Sequence, residues 1–135
     1  MKTLRCYVDG SYSPKSNDES LAGWGVLFEH GDSYSGTIEH KGTRQIAGEC
    51  EAVLEAVRTI LDERDGEKLI IFYDYQGLPE WANGTWKAKN EITKKYQEEV
   101  QEAMKYVEIK FIKIDAAANK ADALATAAIG IQSVH

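Results

Sequence analysis

Four acidic residues stand at strand ends or in the first turns of helices that the sequence predicts. Asp9 ends the first predicted strand and Asp74 the fourth, while Glu49 and Asp122 lie near the starts of two helices. Crowded carboxylates repel one another unless a cation lies between them, and oxygen ligands suit hard cations such as Mg²⁺ and Mn²⁺. Two such ions about 4 Å apart activate water and stabilise the leaving oxygen in phosphodiester cleavage. The set therefore indicates metal-dependent phosphodiester hydrolysis.

Each acidic residue also has a simpler interpretation when it is taken alone. In this interpretation Asp9, which precedes a glycine, only marks a turn, and Asp74 is only a solvated residue at the end of a strand. Glu49 and Asp122 are acids that the helix dipole favours near an N-terminus. The ordered set of carboxylates is more specific than any of its members.

The choice between Glu49 and Glu51 rests on the faces of the first predicted helix. Both flank the apolar stripe, each roughly 100° from its centre at about 3.6 residues per turn. Ala56 and Ile60 lie on the side of Glu49, whereas charged residues lie on the side of Glu51. Glu49 is therefore the stronger candidate for an inward carboxylate, and Glu51 remains open.

Hydrophobic periodicity predicts the elements that must position these residues. The predicted strands are Leu4–Val8, Ala22–Glu29, Ser33–His40, Lys68–Tyr73 and Val107–Ile114, and the predicted helices are Gln45–Glu63, about Glu91–Lys105, and 119–131. The second and third strands are expected to form an antiparallel hairpin across the turn His30-Gly31-Asp32, and the first, fourth and fifth strands, which are separated by helices, are expected to pair in parallel. Asp9 and Asp74 then emerge at the same carboxyl edge, where open α/β sheets bind ligands. Asp65-Gly66 is expected to end the first helix.

Composition limits the function classes. The 135 residues predict one domain, 1–135, and 16 basic against 22 acidic residues give a net charge of −6, which argues against a simple electrostatic nucleic-acid binder. No apolar run reaches the roughly 20 residues of a membrane span, and no apolar h-region follows the start, so a cytoplasmic monomer is expected. Cys6 and Cys50 are too few for a disulfide scaffold and are expected to fill the core.

Four motifs resemble those of the type 1 ribonuclease H family over nearly the whole chain. They are YVDGSY with Asp9, AGECEAVLEAV with Glu49 followed by small residues at Ala52 and Ala56, IIFYDYQG with Asp74 and Gln76, and ADALA with Asp122. The segment LPEWANGTWKAKN is similar to one in the bacterial and viroplasmin-associated branch. The protein is expected to lack the separate N-terminal hybrid-binding domain that some members of the family carry.

The resemblance implies an α/β fold of the ribonuclease H type, with a five-stranded mixed sheet flanked by helices. It implies two Mg²⁺ or Mn²⁺ ions held by Asp9, Glu49, Asp74 and Asp122, and endonucleolytic cleavage of the RNA strand in an RNA–DNA hybrid, giving 5′-phosphate and 3′-hydroxyl ends. Recognition of the hybrid is then by shape rather than by sequence. The expected substrate contacts are Gly10, Ser11, Arg44, Gln45, Gln76, Trp86, Lys87, Lys89 and Asn119.

Lysines beside tryptophans support a nucleic-acid surface in residues 81–95, because cations suit a phosphate backbone and aromatic rings suit stacking. The alternative is that Trp81 and Trp86 are core anchors and the lysines a solvated helix face. Thr43-Arg44-Gln45 is a second candidate surface, where family members bind a DNA phosphate. Its alternative is an ordinary helix entry with Thr43 as N-cap.

The chain departs from the family before its last helix. The family usually carries a histidine in a flexible loop there, whereas only DAAANK separates Ile114 from Ala121. None of His30, His40 and His135 is an obvious replacement, and Asp115 is expected to cap the following helix. The shortening leaves Asn119 open as an alternative fourth ligand, although a charged oxygen such as that of Asp122 holds a divalent ion better. A weakly active or non-catalytic nucleic-acid-binding domain, and another nuclease class on this fold, remain the alternatives.

Overall fold

The computed structural model describes residues 2–16, 18–63 and 66–130. Five strands form one sheet: β1 (Lys2–Ser11), β2 (Leu21–Phe28), β3 (Ser33–Glu39), β4 (Gly66–Tyr73) and β5 (Glu108–Lys113). The helices are α1 (Gln45–Glu63), α2 (Gly77–Ala82), α3 (Glu91–Ala103) and α4 (Asp122–Ala128), with a 3₁₀ turn at Ala116–Ala118. The strand order is β3-β2-β1-β4-β5.

The strand pairing is the one that the sequence predicts. The β1–β2 and β2–β3 pairs are antiparallel, and the β1–β4 and β4–β5 pairs are parallel. The fold is therefore a five-stranded mixed sheet flanked by helices, and β1 and β4 end as neighbours at the same edge.

Two helical segments differ from the prediction. α2 was not predicted, because its six residues are too few to show helical periodicity. The closing helix, expected at 119–131, begins only at Asp122, since Asn119 has extended backbone (φ −79°, ψ 107°) and binds neighbouring segments with its side chain. Position 131 lies outside the described residues, as does Asp65 of the expected Asp65-Gly66 turn. Gly66 is the first residue of β4.

The core lies between one face of the sheet and helices α1 and α3. Alternate residues of β1, which are Leu4, Cys6 and Val8, point into it, and Cys50 of α1 is buried as well. Both cysteines are therefore core residues, as expected. Burying an aliphatic or aromatic side chain contributes about 1.5–3 kcal/mol, so this layer holds α1 firmly against the strands that carry the acidic residues. No helix in the described ranges is long and apolar enough to cross a membrane.

Helix α1 crosses β1 at backbone contact distance because two glycines meet there. A Cβ on Gly10 would lie 2.2 Å from the backbone nitrogen of Glu49, and a Cβ on Gly48 would lie 2.0 Å from the carbonyl oxygen of Gly23. A larger side chain at either position therefore has to push the helix away. The close crossing is what brings Glu49 to the end of β1.

Gly48→Ala tests this crossing. Helix propensity alone predicts that alanine stabilises α1 by roughly 1 kcal/mol, whereas the backbone clash predicts a loss of about 1–3 kcal/mol. We expect the loss, measured as a lower free energy of unfolding in urea followed by circular dichroism. Equal or greater stability of the variant would contradict the packing described here.

Candidate active site

Three carboxylates meet at the carboxyl edge of the sheet. Asp9, Glu49 and Asp74 each offer one oxygen, and these oxygens all lie within 4.8 Å of one another. We call these residues the carboxylate cluster. Asp9 lies near the carboxyl end of β1, Asp74 directly follows β4, and Glu49 lies in the second turn of α1. The predicted meeting of Asp9 and Asp74 at one edge is confirmed.

The backbone N–H of Gly10 holds two members of the cluster. It donates to Oδ1 of Asp9 at 2.9 Å and to Oε1 of Glu49 at 3.0 Å. The other oxygen of Glu49, Oε2, is buried and has no hydrogen-bond partner among the described residues. A buried polar atom without a partner is costly, and a cation supplies the missing partner for a carboxylate oxygen.

Burial and mutual repulsion favour protonation of the cluster when no cation is bound. Burial raises the pKa of Asp9 to about 6. The charge of Asp74 and a side-chain hydrogen bond with Asp122 act in the same direction, and hydrogen bonds with Glu49 and with the Gly10 N–H partly offset the rise. Burial raises the pKa of Glu49 well above its usual range, and its carboxylate neighbours add to the effect. A divalent cation would relieve both costs, so the cluster fits the hard metal ion that its oxygen-only donor set indicates.

Glu49 and Glu51 occupy different environments, as the face argument anticipates. Glu49 is 4% exposed and joins the cluster, whereas Glu51 binds the guanidinium of Arg58 at 3.0 Å. The same guanidinium binds Glu55 and forms two hydrogen bonds to Glu99, which links α1 to α3. The pKa of Glu51 is nevertheless raised to about 7, mainly by burial, with the Glu55 carboxylate adding to the rise. Glu51 therefore belongs to a structural ion-pair network.

The two candidates for a fourth ligand differ in exposure and in free oxygen atoms. Asp122 is exposed at the start of α4, and its carboxylate is close enough to Asp9 to raise the pKa of Asp9. Asn119 is buried, and its Oδ1 accepts the backbone N–H of Ala121 at 3.0 Å. Asp122 is therefore the better candidate for a fourth ligand, because its carboxylate is exposed near Asp9 whereas the amide oxygen of Asn119 already accepts a hydrogen bond.

Most of the residues expected to contact a hybrid lie in three places along the chain. Gly10 and Ser11 continue β1 beyond Asp9, and both are half-buried. Gln45 touches the same point, since a Cβ on Gly10 would lie 2.6 Å from its carbonyl oxygen. Arg44 is exposed, with φ of +57°, and its guanidinium carbon lies 6.0 Å from the ring centroid of Tyr12.

The third place is the loop after α2. Trp86 is 40% exposed and rests edge-on against Trp81, with ring centroids 5.7 Å apart, whereas Trp81 is buried in the core. Lys87 and Lys89 are exposed beside it. Gln76 is exposed before α2, and its amide donates to Glu80 at 3.3 Å. Trp81 is thus the core anchor, and Trp86 presents a ring to the surface.

The described histidines are bound outside the cluster. His30 pairs with Asp32 at 2.9 Å, and His40 contacts the carbonyl oxygen of Glu19 at 2.8 Å. His135 lies outside the described residues. Asp115 stands at the start of the 3₁₀ turn, but its side chain makes no capping hydrogen bond, so the expectation that it caps a helix is wrong. Its backbone carbonyl accepts the N–H of Ala118 instead.

The sequence named Gly10 and Asn119 but did not predict the hydrogen bonds by which they hold the cluster. The N–H of Gly10 binds Asp9 and Glu49, and the amide of Asn119 binds Asp74. Such backbone and buried polar contacts leave no periodic signal in the sequence. The one usable signal was the small-residue pair Gly10 and Gly48, because glycines beside candidate ligands indicate close backbone approach.

Comparison with known proteins gives the family. No curated protein sequence matches the chain. Among solved structures, RNase H1 from the halophilic archaeon Halobacterium salinarum is 19% identical, with a TM-score of 0.74 over 94% of this chain and 97% of that one. The N-terminal RNase H domain of a Mycobacterium tuberculosis protein is 18% identical, with a TM-score of 0.76 over 94% and 93%. LC11-RNase H1, solved in complex with an RNA/DNA hybrid, is 21% identical, with a TM-score of 0.75 over 93% and 96%.

These likenesses show the same fold. The sequence model of the family described as RNase H matches residues 1–130, which include every member of the carboxylate cluster. The chain therefore belongs to the RNase H family and is a ribonuclease H.

Proposed function

We propose that this protein is a metal-dependent endoribonuclease that cleaves the RNA strand of RNA–DNA hybrids and leaves 5′-phosphate and 3′-hydroxyl ends. The observation that carries the proposal is the carboxylate cluster with its unpaired Glu49 oxygen. Family membership supports the reaction class, and the hybrid complex of LC11-RNase H1 supports the substrate.

Asp9, Glu49, Asp74 and Asp122 would hold two Mg²⁺ or Mn²⁺ ions. When bound, such ions supply an activated water and stabilise the leaving oxygen of the phosphodiester. The chain's own part is to orient the ligands. The N–H of Gly10 turns Asp9 and Glu49 toward one point, and the buried position of Glu49 keeps bulk water from its Oε2 atom.

The hybrid would lie across the exposed residues on both sides of the cluster. We assign Trp86, Lys87 and Lys89 to one side and Arg44 with Gln45 to the other, because all five residues are exposed. Lysine and arginine neutralise backbone phosphates without reading sequence. Gly10, Ser11 and Gln76 would face the sugar edge, where the 2′-hydroxyl distinguishes RNA from DNA. The net charge of −6 favours modest affinity for a polyanion, and the affinity would weaken with salt because salt screens the lysine and arginine contacts to phosphate.

A weakly active or non-catalytic hybrid-binding domain is the second candidate. The observation that favours it is the short segment 115–121, which carries no histidine for proton transfer or product release. Cleavage and metal binding separate the two candidates, because a binding domain has no need of four acidic residues at one edge.

Asp74→Asn should reduce cleavage of a labelled RNA–DNA hybrid in Mg²⁺ by roughly 100-fold or more, because it removes a negative ligand of the ions that would activate water and stabilise the leaving oxygen. The matched control is Asp62→Asn, an exposed acid on α1 outside the cluster, which should cleave at the wild-type rate. A duplex DNA substrate should remain uncut. Cleavage that survives Asp74→Asn would refute the site assignment.

The cluster should make stability depend on pH when divalent ions are removed. Because the pKa of Asp9 is raised to about 6 in the folded protein, the folded state holds a proton that the unfolded state has lost. Stability from this group is therefore full at low pH and is lost as pH rises through about 6. We expect the unfolding free energy in EDTA to fall by on the order of 2 kcal/mol between pH 4 and 7.5 from this source.

Asp9→Asn should abolish that part of the pH dependence, and Mn²⁺ at pH 7.5 should restabilise the wild type more than the variant. Urea unfolding at several pH values measures both effects. An identical pH profile in wild type and variant would contradict the electrostatic account of the cluster.

Lys87→Ala combined with Lys89→Ala should raise KM for the hybrid and lower the salt dependence of binding. Two phosphate contacts predict a decrease of about 2 in the slope of log Kd against log salt. Lys110→Ala on β5 is the control, since Lys110 is exposed but lies on the far edge strand. An unchanged slope in the double variant would exclude these lysines from the hybrid surface.

A further inference from the structure

The side-chain amide of Asn119 is fully used inside the protein. Asn119 is 6% exposed. Its Nδ2 donates to the carbonyl oxygen of Val8 and to Oδ2 of Asp74, both at 2.8 Å, and its Oδ1 accepts from the N–H of Ala121. A reversed amide would set its oxygen against two other oxygens and its NH₂ against an N–H. The donor side of Asn119 therefore faces Asp74.

Asn119 lies where β1 and β4 separate. The β1–β4 pairing ends at Tyr7↔Phe72, and the carbonyl of Val8, the next residue of β1, receives the amide of Asn119. Asp9 is the residue after Val8 in β1, and Asp74 is the residue after the end of β4. The backbone carbonyl of Asn119 also accepts the N–H of Asp122 at 3.2 Å. Asn119 thus contacts the segments that carry Asp9, Asp74 and Asp122.

An uncharged donor suits this position. A lysine here would place a positive charge beside the cluster and compete with a metal ion, and an aspartate would add to the repulsion that already raises the pKa of Asp9. An amide binds one oxygen of Asp74 and leaves the charge of the cluster unchanged. Residues that hydrogen-bond a ligand carboxylate in this way orient it and tune the affinity of a metal site.

We propose that Asn119 is a positioning residue for the divalent-ion site, which fixes the Asp74 carboxylate relative to Asp9 and to the start of α4. The inference rests on the proposed function, because it requires that the cluster bind metal. It gives Asn119 a different role from the fourth-ligand role that the sequence left open and from the hybrid contact that the sequence predicted. The amide acts through Asp74, and the ions themselves would contact only the carboxylates.

Two variants separate this role from a purely structural one. Asn119→Ala removes every side-chain contact, whereas Asn119→Ser keeps a short oxygen that can accept the N–H of Ala121 in a local turn but is too short to reach Asp74. For both variants we expect Mn²⁺ affinity, measured by calorimetry on the whole chain, to fall roughly 10- to 100-fold. With Mn²⁺ raised to saturation, KM for the hybrid should stay at the wild-type value and kcat should fall.

Thr93→Ala is the matched control. Thr93 is 1% exposed, like Asn119 buried and polar, but it belongs to the cap of α3 with Asn90. The control should lower the unfolding temperature without changing the Mn²⁺ affinity. If Asn119→Ala does not fold, Asn119→Ser carries the same comparison.

Wild-type Mn²⁺ affinity in both Asn119 variants would overturn the positioning role and leave the nuclease proposal intact. A fall in affinity in Thr93→Ala as large as in the Asn119 variants would also overturn it, because general destabilisation would then suffice. Failure of the wild type itself to bind Mn²⁺ and to cleave the hybrid would instead overturn the proposed function.

Discussion

Repulsion among buried carboxylates is the constraint on which the site depends. Asp9 and Glu49 are almost fully buried, yet each lies within 4.8 Å of another acidic oxygen. Folding therefore concentrates negative charge where water cannot screen it, and the raised pKa values of both groups record that cost. Such an arrangement is tolerated when the rest of the fold is stable enough to hold it and when a cation can occupy the point of convergence.

The fold holds the carboxylates in place largely with uncharged groups. The Gly10 N–H binds two of them, and the Asn119 amide binds a third. An ion-pair network of α1, around Arg58, includes Glu51 and not Glu49. Within the described ranges no salt bridge reaches Asp9, Glu49 or Asp74, which leaves their charge available to a metal ion.

The negative charge of the protein opposes binding of the negatively charged substrate that we propose. The whole chain is acidic, with a net charge of −6, but its substrate in our proposal is a polyanion. Exposed basic residues form two small groups along the chain, Arg44 just before α1 and Lys87 with Lys89 after α2, and we propose that both contact the hybrid. Trp86 packs edge-on against the buried Trp81, which supports its ring at the surface. Affinity then depends on few charges and on shape, which is consistent with sequence-independent recognition.

The sequence by itself determined the sheet, its pairing and the choice of acidic residues. Alternation along β1 and the helical stripe of α1 are strong periodic signals, and the hairpin and crossover rules then leave few topologies. These rules were enough to predict that Asp9 and Asp74 share an edge and to favour Glu49 over Glu51, and the structure then excluded Glu51 from the cluster.

Only the tertiary structure decided how the carboxylates are held. The contact of Asn119 with Asp74 joins residues 45 positions apart, and the Gly10 clamp on Glu49 joins residues 39 apart. The fold also moved the start of the closing helix to Asp122 and formed α2, which is too short to leave a periodic signal. Periodicity reports which face of an element is buried, whereas a single buried hydrogen bond depends on the packed positions of several elements at once.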